Sequence, residues 1–420
     1  MEYKNRLIEK EIEDSLNRVG CIILYGPKYC GKTTTAKRYA KSLFSINSID
    51  DIRFANADPR IVLQGETPRL VDEWQFAPDL WNVARTIIDE RNNLSGQFIF
   101  TGSATPEDKT KIIHNGAGRI KKIKMTSMSL YETGESSGEI SLMSLFNDSI
   151  SVFALNDISL KDIAFYMCRG GWPAFIGLNE NVSLKNSKDY YNTLFEFENN
   201  GNKKFRNKKK ETFQKIIRSY ARNISTLARK MKLINDIASC DDGIICLDTY
   251  NEYLEALNDL CIITDLNYFN LNNRSNISLI TTPVRHFIDT SIAINSLNLT
   301  PEKLLNDPRS FGLFFEDFAI HELSVYANAI NANLFHYRDK EGIECDAIIV
   351  LDDSRYALIE IKLGGQEAVE YGTKTLKHVE QILINKGYDK PAFKAVVTAV
   401  GHAYTTEDKI YVIPINKLKD

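Results

Sequence analysis

Residues 21–34, CIILYGPKYCGKTT, decide the fold of the N-terminal part of this 420-residue chain. The all-apolar run Cys21–Tyr25 is typical of a strand buried on both faces of a parallel sheet. The next eight residues, Gly26–Thr33, match the pattern G-x-x-x-x-G-K-[ST] in full, and a helix is predicted from about Thr33 to Leu43. Strand, glycine-rich turn and helix in this order predict a loop whose backbone N–H groups surround phosphate oxygens.

Each residue type in this loop, called the P-loop below, has a predicted role. Gly26 and Gly31 allow the backbone to curl, Lys32 reaches the terminal phosphates, and the Thr33 hydroxyl is a ligand for Mg²⁺. The predicted ATP-binding residues are Gly26, Pro27, Lys28, Tyr29, Cys30, Gly31, Lys32, Thr33 and Thr34. The alternative is a chance Gly-Lys-Thr turn, which leaves the flanking strand and helix unexplained.

Two acids follow the next apolar run, Arg69–Val71, about 40 residues after the P-loop. Asp72 at the end of that predicted strand is expected to hold Mg²⁺, and Glu73 is expected to polarise the water that attacks the γ-phosphate. The alternative is an acidic helix N-terminus. The pairing with a complete P-loop favours the catalytic interpretation.

Two further catalytic candidates come later in the chain. A strand is predicted at 97–100, and Thr101 or Ser103 after it is placed beside the γ-phosphate, although either residue is equally well explained as a turn that caps a helix. Arg119 is a candidate arginine finger or sensor, and acting in trans would require a neighbouring subunit. The alternative for Arg119 is a solvated surface side chain.

These motifs together resemble the prokaryotic AAA-type ATPases that carry a C-terminal domain of unknown function. The segments that carry the resemblance are 25–34, 70–80, 98–103, 118–120, 128–132, 169–173, 287–290 and 360–362. Lys28 stands where an arginine is expected, and Ser291 stands where a glycine is expected. The resemblance implies ATP binding and hydrolysis, and it implies the sheet order 5-1-4-3-2.

Composition limits the other classes of function. Hydrophobic residues make up 43% of the chain and charged residues 25%, which is typical of a globular protein and excludes a wholly disordered or collagen-like chain. The net charge of −3 means that any nucleic-acid surface must be local. Seven cysteines without a Cys-x-x-Cys pair indicate reduced thiols, and no apolar run approaches a membrane span, so a cytoplasmic protein is predicted.

Three regions are predicted: an AAA-type domain at 1–134, a helical region at 135–300 and an α/β domain at 301–420. Residues 135–157 are rich in Ser, Gly and Asn and predict a linker or a loose loop. Residues 211–269 predict a winged-helix module with its recognition helix at 249–258. The basic residues just before it, which make DNA a possible partner, are Lys203, Lys204, Arg206, Lys208, Lys209 and Lys210. The alternative is a solvated face and a module used only for packing.

The C-terminal α/β domain carries a pattern similar to the PD-(D/E)xK nuclease core. A hairpin centred on Asp353 sets Asp346 directly opposite Glu360, and strand alternation places Lys362 on the same face as Glu360. The two carboxylates are candidate ligands of a second Mg²⁺, with Lys362 near a water and Glu316 completing the site. The alternatives are an ordinary Glu-x-Lys ion pair and a nuclease fold without activity.

The sequence therefore favours Mg²⁺-dependent ATP hydrolysis coupled to a C-terminal half that binds DNA or protein, with a homo-oligomer as a possible assembly. One alternative is a nucleotide-gated switch with little turnover. Another is a Mg²⁺-dependent DNA nuclease that ATP licenses.

Overall fold

A computed structural model describes residues 3–102, 116–196, 208–241, 243–270 and 282–420. The N-terminal region has five strands: β1 (Cys21–Tyr25), β2 (Ser42–Ser45), β3 (Arg69–Asp72), β4 (Phe98–Gly102) and β5 (Ile120–Lys124). Its helices are α1 (Glu9–Leu16), α2 (Lys32–Lys37), α3 (Ile49–Ala57), α4 (Pro59–Val62), α5 (Asp79–Glu90) and α6 (Leu130–Thr133).

The five N-terminal strands form one parallel sheet in the order β2-β3-β4-β1-β5. This is the predicted order, 5-1-4-3-2, taken from the opposite edge. Because parallel strands end at the same edge, the residues that follow β1 and β3 come together there with the last residues of β4. In register, Leu24 of β1 and Asp72 of β3 both lie opposite Thr101 of β4.

One N-terminal helix is shorter than the sequence pattern predicted. The helix predicted from Thr33 to Leu43 ends at Lys37. The reason is β2, where Leu43 and Phe44 pair with Leu70 and Val71 of β3. An edge strand of four residues is too short to show the alternation that would have predicted it.

The middle region is helical. Its helices are α7 (Leu142–Phe146), α8 (Leu160–Arg169), α9 (Glu180–Thr193), α10 (Lys210–Arg222), α11 (Lys230–Cys240), α12 (Leu247–Asp259) and α13 (Thr290–Ser296). Helices α10 to α12 fall within the predicted winged-helix module. After them come two isolated antiparallel bridges, Ile263 with Phe287 and Leu266 with Val284. Part of the segment between these bridges lies outside the described residues, so the winged helix stays a prediction.

The linker predicted over residues 135–157 is wrong. Its short strand β6 (Ile140–Ser141) pairs with β13 (Leu418–Lys419), at the end of the chain. The Ser136 hydroxyl donates a hydrogen bond to the carbonyl of Leu418 (2.6 Å), and Ala154 forms a bridge with Ala403. The small polar residues that suggested a loose loop instead fasten this segment to the C-terminal domain.

The C-terminal domain contains a mixed six-stranded sheet in the order β11-β12-β10-β9-β8-β7. Its strands are β7 (Ala332–Arg338), β8 (Glu344–Leu351), β9 (Tyr356–Lys362), β10 (Phe393–Thr398), β11 (Tyr404–Thr405) and β12 (Tyr411–Pro414). Its helices are α14 (Pro301–Leu305), α15 (Pro308–Ala329) and α16 (Gln366–Asn385).

Alternate residues of the C-terminal strands build two separate cores. Ala357 and Ile359 of β9 belong to a large core that includes α15 and the middle region, whereas Leu358 belongs to a smaller core under α16. The chain therefore joins its middle and C-terminal regions through a shared core. In the parts of the chain that the structure describes, no helix has the length and apolar character needed to cross a membrane.

Candidate nucleotide site

Close packing at the P-loop leaves room only for glycine at its first position. A Cβ atom at Gly26 would lie 1.9 Å from the carbonyl oxygen of Met125. Tyr29 and Gly31 both have positive φ angles, 66° and 99°, and Gly31 precedes the first turn of α2. These angles produce the inward curl of the loop that the sequence predicted.

Lys32 lies inside this curl. Its side chain is buried, and Nζ donates hydrogen bonds to the carbonyl oxygens of Gly26 (3.0 Å) and Pro27 (2.7 Å). A buried ammonium group that donates to neutral carbonyls retains a strong attraction for an anion. Thr34, the last predicted ATP-binding residue, is exposed on α2.

One carboxylate oxygen joins the three predicted polar residues at this edge of the sheet. Asp72 Oδ1 accepts a hydrogen bond from Thr33 Oγ1 (2.8 Å) and another from Thr101 Oγ1. A carboxylate and a hydroxyl that already touch form the hard oxygen donor set that Mg²⁺ prefers, so these residues fit the metal. Ser103, the alternative to Thr101, lies outside the described residues.

Glu73 has a left-handed backbone conformation (φ 58°, ψ 38°) directly after β3. Burial raises the pKa of its carboxyl group, a hydrogen bond from Gln75 Nε2 lowers it, and the charge of Asp72 raises it again, with a net increase. A carboxylate with a raised pKa is a stronger base than an exposed glutamate. Sequence reasoning missed Gln75, although it stands within the motif quoted for the resemblance.

Arg119 does not lie at this site in its own chain. Its carbonyl oxygen accepts a hydrogen bond from the backbone N–H of Cys21 (2.9 Å), at the start of β1 and so at the opposite edge of the sheet. Its side chain pairs with Asp89 of α5 (2.8 Å). A role as a finger or sensor in cis is therefore wrong, because the length of β1 separates Arg119 from the P-loop. A role in trans stays a prediction.

The predicted DNA-binding surface is only partly described. Lys203, Lys204 and Arg206 lie outside the described residues. Lys208 pairs with Glu252 of α12 (3.1 Å), and Lys210 pairs with Glu196 (2.8 Å).

The predicted recognition helix, α12, carries an unexpected charge. It contains four acids and no lysine or arginine. The acids are Asp248, Glu252, Glu255 and Asp259. This charge repels DNA phosphates, and it weighs against placing α12 in a groove.

The C-terminal cluster has the predicted hairpin geometry. The ladder between β8 and β9 pairs Ala347 with Ile359, so the next pair in register is Asp346 with Glu360. Lys362 Nζ lies between their carboxylates, 3.2 Å from Asp346 Oδ2 and 2.7 Å from Glu360 Oε2. The backbone N–H of Ile361 also donates to Asp346 (2.7 Å).

The Lys362 ammonium bridges the two carboxylates of this cluster. Burial and the charge of Asp346 raise the pKa of Glu316, and the same two causes raise the pKa of Glu360. Throughout the described ranges, no group of three or more Asp, Glu, His or Cys side chains is arranged to hold a metal ion. The Lys362 ammonium lies between the two carboxylates, and the second Mg²⁺ site stays a prediction.

Two residues that sequence reasoning did not select contact the P-loop from outside it. Arg6 donates to the carbonyl oxygen of Cys30 (2.8 Å), and Tyr190 of α9 donates to the carbonyl oxygen of Lys28 (3.1 Å). No local motif marks either residue, because their contacts join parts of the chain that are distant in sequence.

Family models match three successive parts of the chain. Residues 19–134 match the model described as an AAA domain. Residues 160–303 match a domain of unknown function, DUF8612, and residues 311–418 match another, DUF4143. The N-terminal region is therefore AAA-type and ATPase-like, and the family matches assign no activity to the other two regions.

The chain is also similar to uncharacterized proteins of two mycobacteria. One is from Mycobacterium bovis (strain ATCC BAA-935 / AF2122/97) and the other from Mycobacterium tuberculosis (strain ATCC 25618 / H37Rv). Each is 22% identical to it over 434 residues, an alignment that covers 100% of this chain and 85% of the relative. The similarity thus extends over all three regions.

Proposed function

We propose that this protein binds ATP with Mg²⁺ at the P-loop edge of the N-terminal sheet and hydrolyses it. The observation that carries the proposal is the single oxygen of Asp72 that accepts hydrogen bonds from both Thr33 and Thr101. These hydrogen bonds join α2, which carries Thr33, to the end of β3 at Asp72 and to β4 at Thr101. This is the arrangement that nucleotide hydrolysis by a P-loop protein requires.

Each residue of the site has a defined task. Lys32 exchanges its bonds to the loop carbonyls for bonds to the terminal phosphates. Thr33 and Asp72 hold Mg²⁺, which neutralises phosphate charge when it is bound. Glu73 orients the attacking water and accepts its proton, while Thr101 fixes the Asp72 carboxylate.

The test compares wild type with Glu73→Gln and Lys32→Ala. We expect Glu73→Gln to bind Mg·ATP as tightly as wild type while phosphate release falls by about 100-fold or more, as when a general base is lost. Lys32→Ala should lose binding, measured by titration calorimetry.

Two outcomes would contradict this proposal. Equal binding by wild type and Lys32→Ala would overturn the site. If wild-type protein of known mass binds ATP but releases no phosphate, with or without DNA, the result would favour the nucleotide-gated switch. The same turnover measurement, made with and without DNA, tests the proposed coupling to DNA. The measured mass of the protein tests whether it forms a homo-oligomer.

A specific observation favours a second function, an ATP-licensed nuclease. Asp346, Glu360 and Lys362 converge within hydrogen-bond distance, with Glu316 beside them. Entry of Mg²⁺ would require Lys362 to leave its present place. A plasmid-nicking assay with Mg²⁺ and ATP should show activity that Asp346→Ala and Lys362→Ala abolish, and equal activity in all three proteins would remove the nuclease proposal.

A further inference from the structure

One carbonyl oxygen of the P-loop, that of Lys28, is held from outside the N-terminal domain. When the N–H groups of such a loop point inward, a carbonyl group can face outward. The Tyr190 hydroxyl, on α9 of the middle region, donates to the carbonyl of Lys28 at 3.1 Å. The Tyr190 ring also meets the ring of Tyr29 edge to face, with centroids 5.7 Å apart.

Tyr190 is itself held firmly in place. Only 7% of its surface is exposed, and its ring centroid lies 4.4 Å from that of Trp172. The Trp172 indole N–H donates to Ser291 Oγ (3.0 Å) at the start of α13. A Cβ atom at Gly31 would lie 3.6 Å from Pro173, so the segment after α8 also borders the P-loop.

We propose that Tyr190 is a positioning residue for the P-loop, and that through it ATP binding is coupled to α9 of the middle region. The inference rests on the proposed nucleotide site. A hydroxyl bound to the outward carbonyl of Lys28 restrains the loop in the curled conformation that phosphate needs. The loop therefore loses less conformational freedom when the nucleotide binds.

Coupling of this kind is reciprocal. If the bond from Tyr190 favours the conformation that binds ATP, then bound ATP must favour that bond by the same factor. Helix α9 should consequently exchange its backbone amide hydrogens more slowly when Mg·ATP is present. A residue that only fills space in the core would not produce this effect.

The experiment compares Tyr190→Phe with Tyr191→Phe, measuring Mg·ATP affinity by calorimetry and amide hydrogen exchange of residues 180–193. Tyr191 is a matched control, because it is the next residue of α9 and its buried hydroxyl has no hydrogen-bond partner among the described residues. We expect Tyr190→Phe to bind Mg·ATP about 3- to 10-fold more weakly, the effect of one lost hydrogen bond, and to lose the ATP-induced protection of α9. Tyr191→Phe should match wild type in both measurements.

The outcomes separate this inference from the proposed function. If wild type binds Mg·ATP and Tyr190→Phe keeps both its affinity and the protection of α9, the inference is overturned and the nucleotide site stands. If wild type binds no Mg·ATP, the proposed function itself fails. If Tyr190→Phe does not fold, the coupling is tested in wild type by comparing the amide hydrogen exchange of α9 with and without Mg·ATP. Unchanged exchange of α9 would refute the coupling.

Discussion

Glu73 and Gln75 show how one short motif sets both the place and the charge state of a base. The left-handed conformation of Glu73 turns the chain immediately after β3, and Gln75, almost completely buried, donates to its carboxylate. A Cβ atom at Gly102 would lie 2.2 Å from Gln75 Oε1, so the end of β4 presses on the same side chain. Gln75 is therefore positioned to favour the ionised form of Glu73.

We predict that Gln75→Leu moves the acid limb of the pH profile of kcat to higher pH. Removing the hydrogen bond takes away a contact that lowers the pKa of Glu73, so this pKa rises further above its ordinary value. The base works only when ionised, and activity is therefore lost at a higher pH than in wild type. The measurement is phosphate release at saturating Mg·ATP between pH 5 and pH 8.

The control for this prediction is Gln381→Leu, at an exposed glutamine of α16 far along the chain from the nucleotide site. It should leave the profile unchanged. An acid limb of Gln75→Leu that coincides with that of wild type would show that Glu73 is not the group whose ionisation limits turnover.

At the scale of elements, the segment between α8 and the turn Pro173–Phe175 joins the middle region to the N-terminal domain through backbone contacts. The N–H of Met128 donates to the carbonyl of Gly171 (2.7 Å), and the N–H of Gly171 donates to Asp289 Oδ2 (2.9 Å). A Cβ atom at Gly171 would lie 2.0 Å from the carbonyl oxygen of Met128. Only glycine allows the two backbones to approach this closely.

We predict that Gly171→Ala lowers the free energy of unfolding by about 2 kcal/mol or more, because rigid backbone must move to make room. The matched control is Gly312→Ala in α15, where an added Cβ would lie within 4 Å of no described atom beyond its own helical turn. It should raise stability by about 0.5–1 kcal/mol, as alanine does within a helix. Urea unfolding of both variants measures the effects, and equal midpoints would contradict the steric argument.

Features set by residues close together in the sequence could be predicted, whereas contacts between distant residues could not. The P-loop and the Asp346–Glu360 hairpin depend on alternation and spacing within a few residues, and both have the predicted geometry. The fastening of Ser136 to Leu418 joins residues 282 positions apart, which no local pattern encodes. The sequence left the place of Arg119 open for the same reason, since its position depends on how β5 pairs with β1.

Across the whole molecule, the N-terminal domain meets α15 through buried polar groups. Glu322 of α15 is 1% exposed, and one of its oxygens accepts from the backbone N–H of Leu130 (2.8 Å) and from the Tyr326 hydroxyl (2.7 Å). Burial raises the pKa of Glu322 to about 8, the two hydrogen bonds lower it, and the charges of Glu132 and Glu135 raise it. The interface therefore holds Glu322 mainly as a neutral acid at pH 7.

We predict that Glu322→Gln gains stability relative to wild type as the pH rises. The pKa of Glu322 is raised in the folded state, so its contribution is fully present below the ordinary pKa of a glutamate. It is lost as the pH rises through about 8. The amide keeps an acceptor for Leu130 but carries no charge to bury. The urea midpoint of the variant minus that of wild type should thus increase between pH 5 and pH 8 and level off above.

The comparison isolates the titration of Glu322 and of the groups coupled to it, because titrating residues that do not interact with Glu322 contribute equally to the two proteins. His321, the neighbour of Glu322 on α15, is also buried and has a lowered pKa, but its effect cancels in the difference. Glu302→Gln, at an exposed glutamate of α14, should instead give a midpoint difference that does not change over this range. A constant difference for Glu322→Gln as well would mean that the domain interface does not depend on the neutral acid.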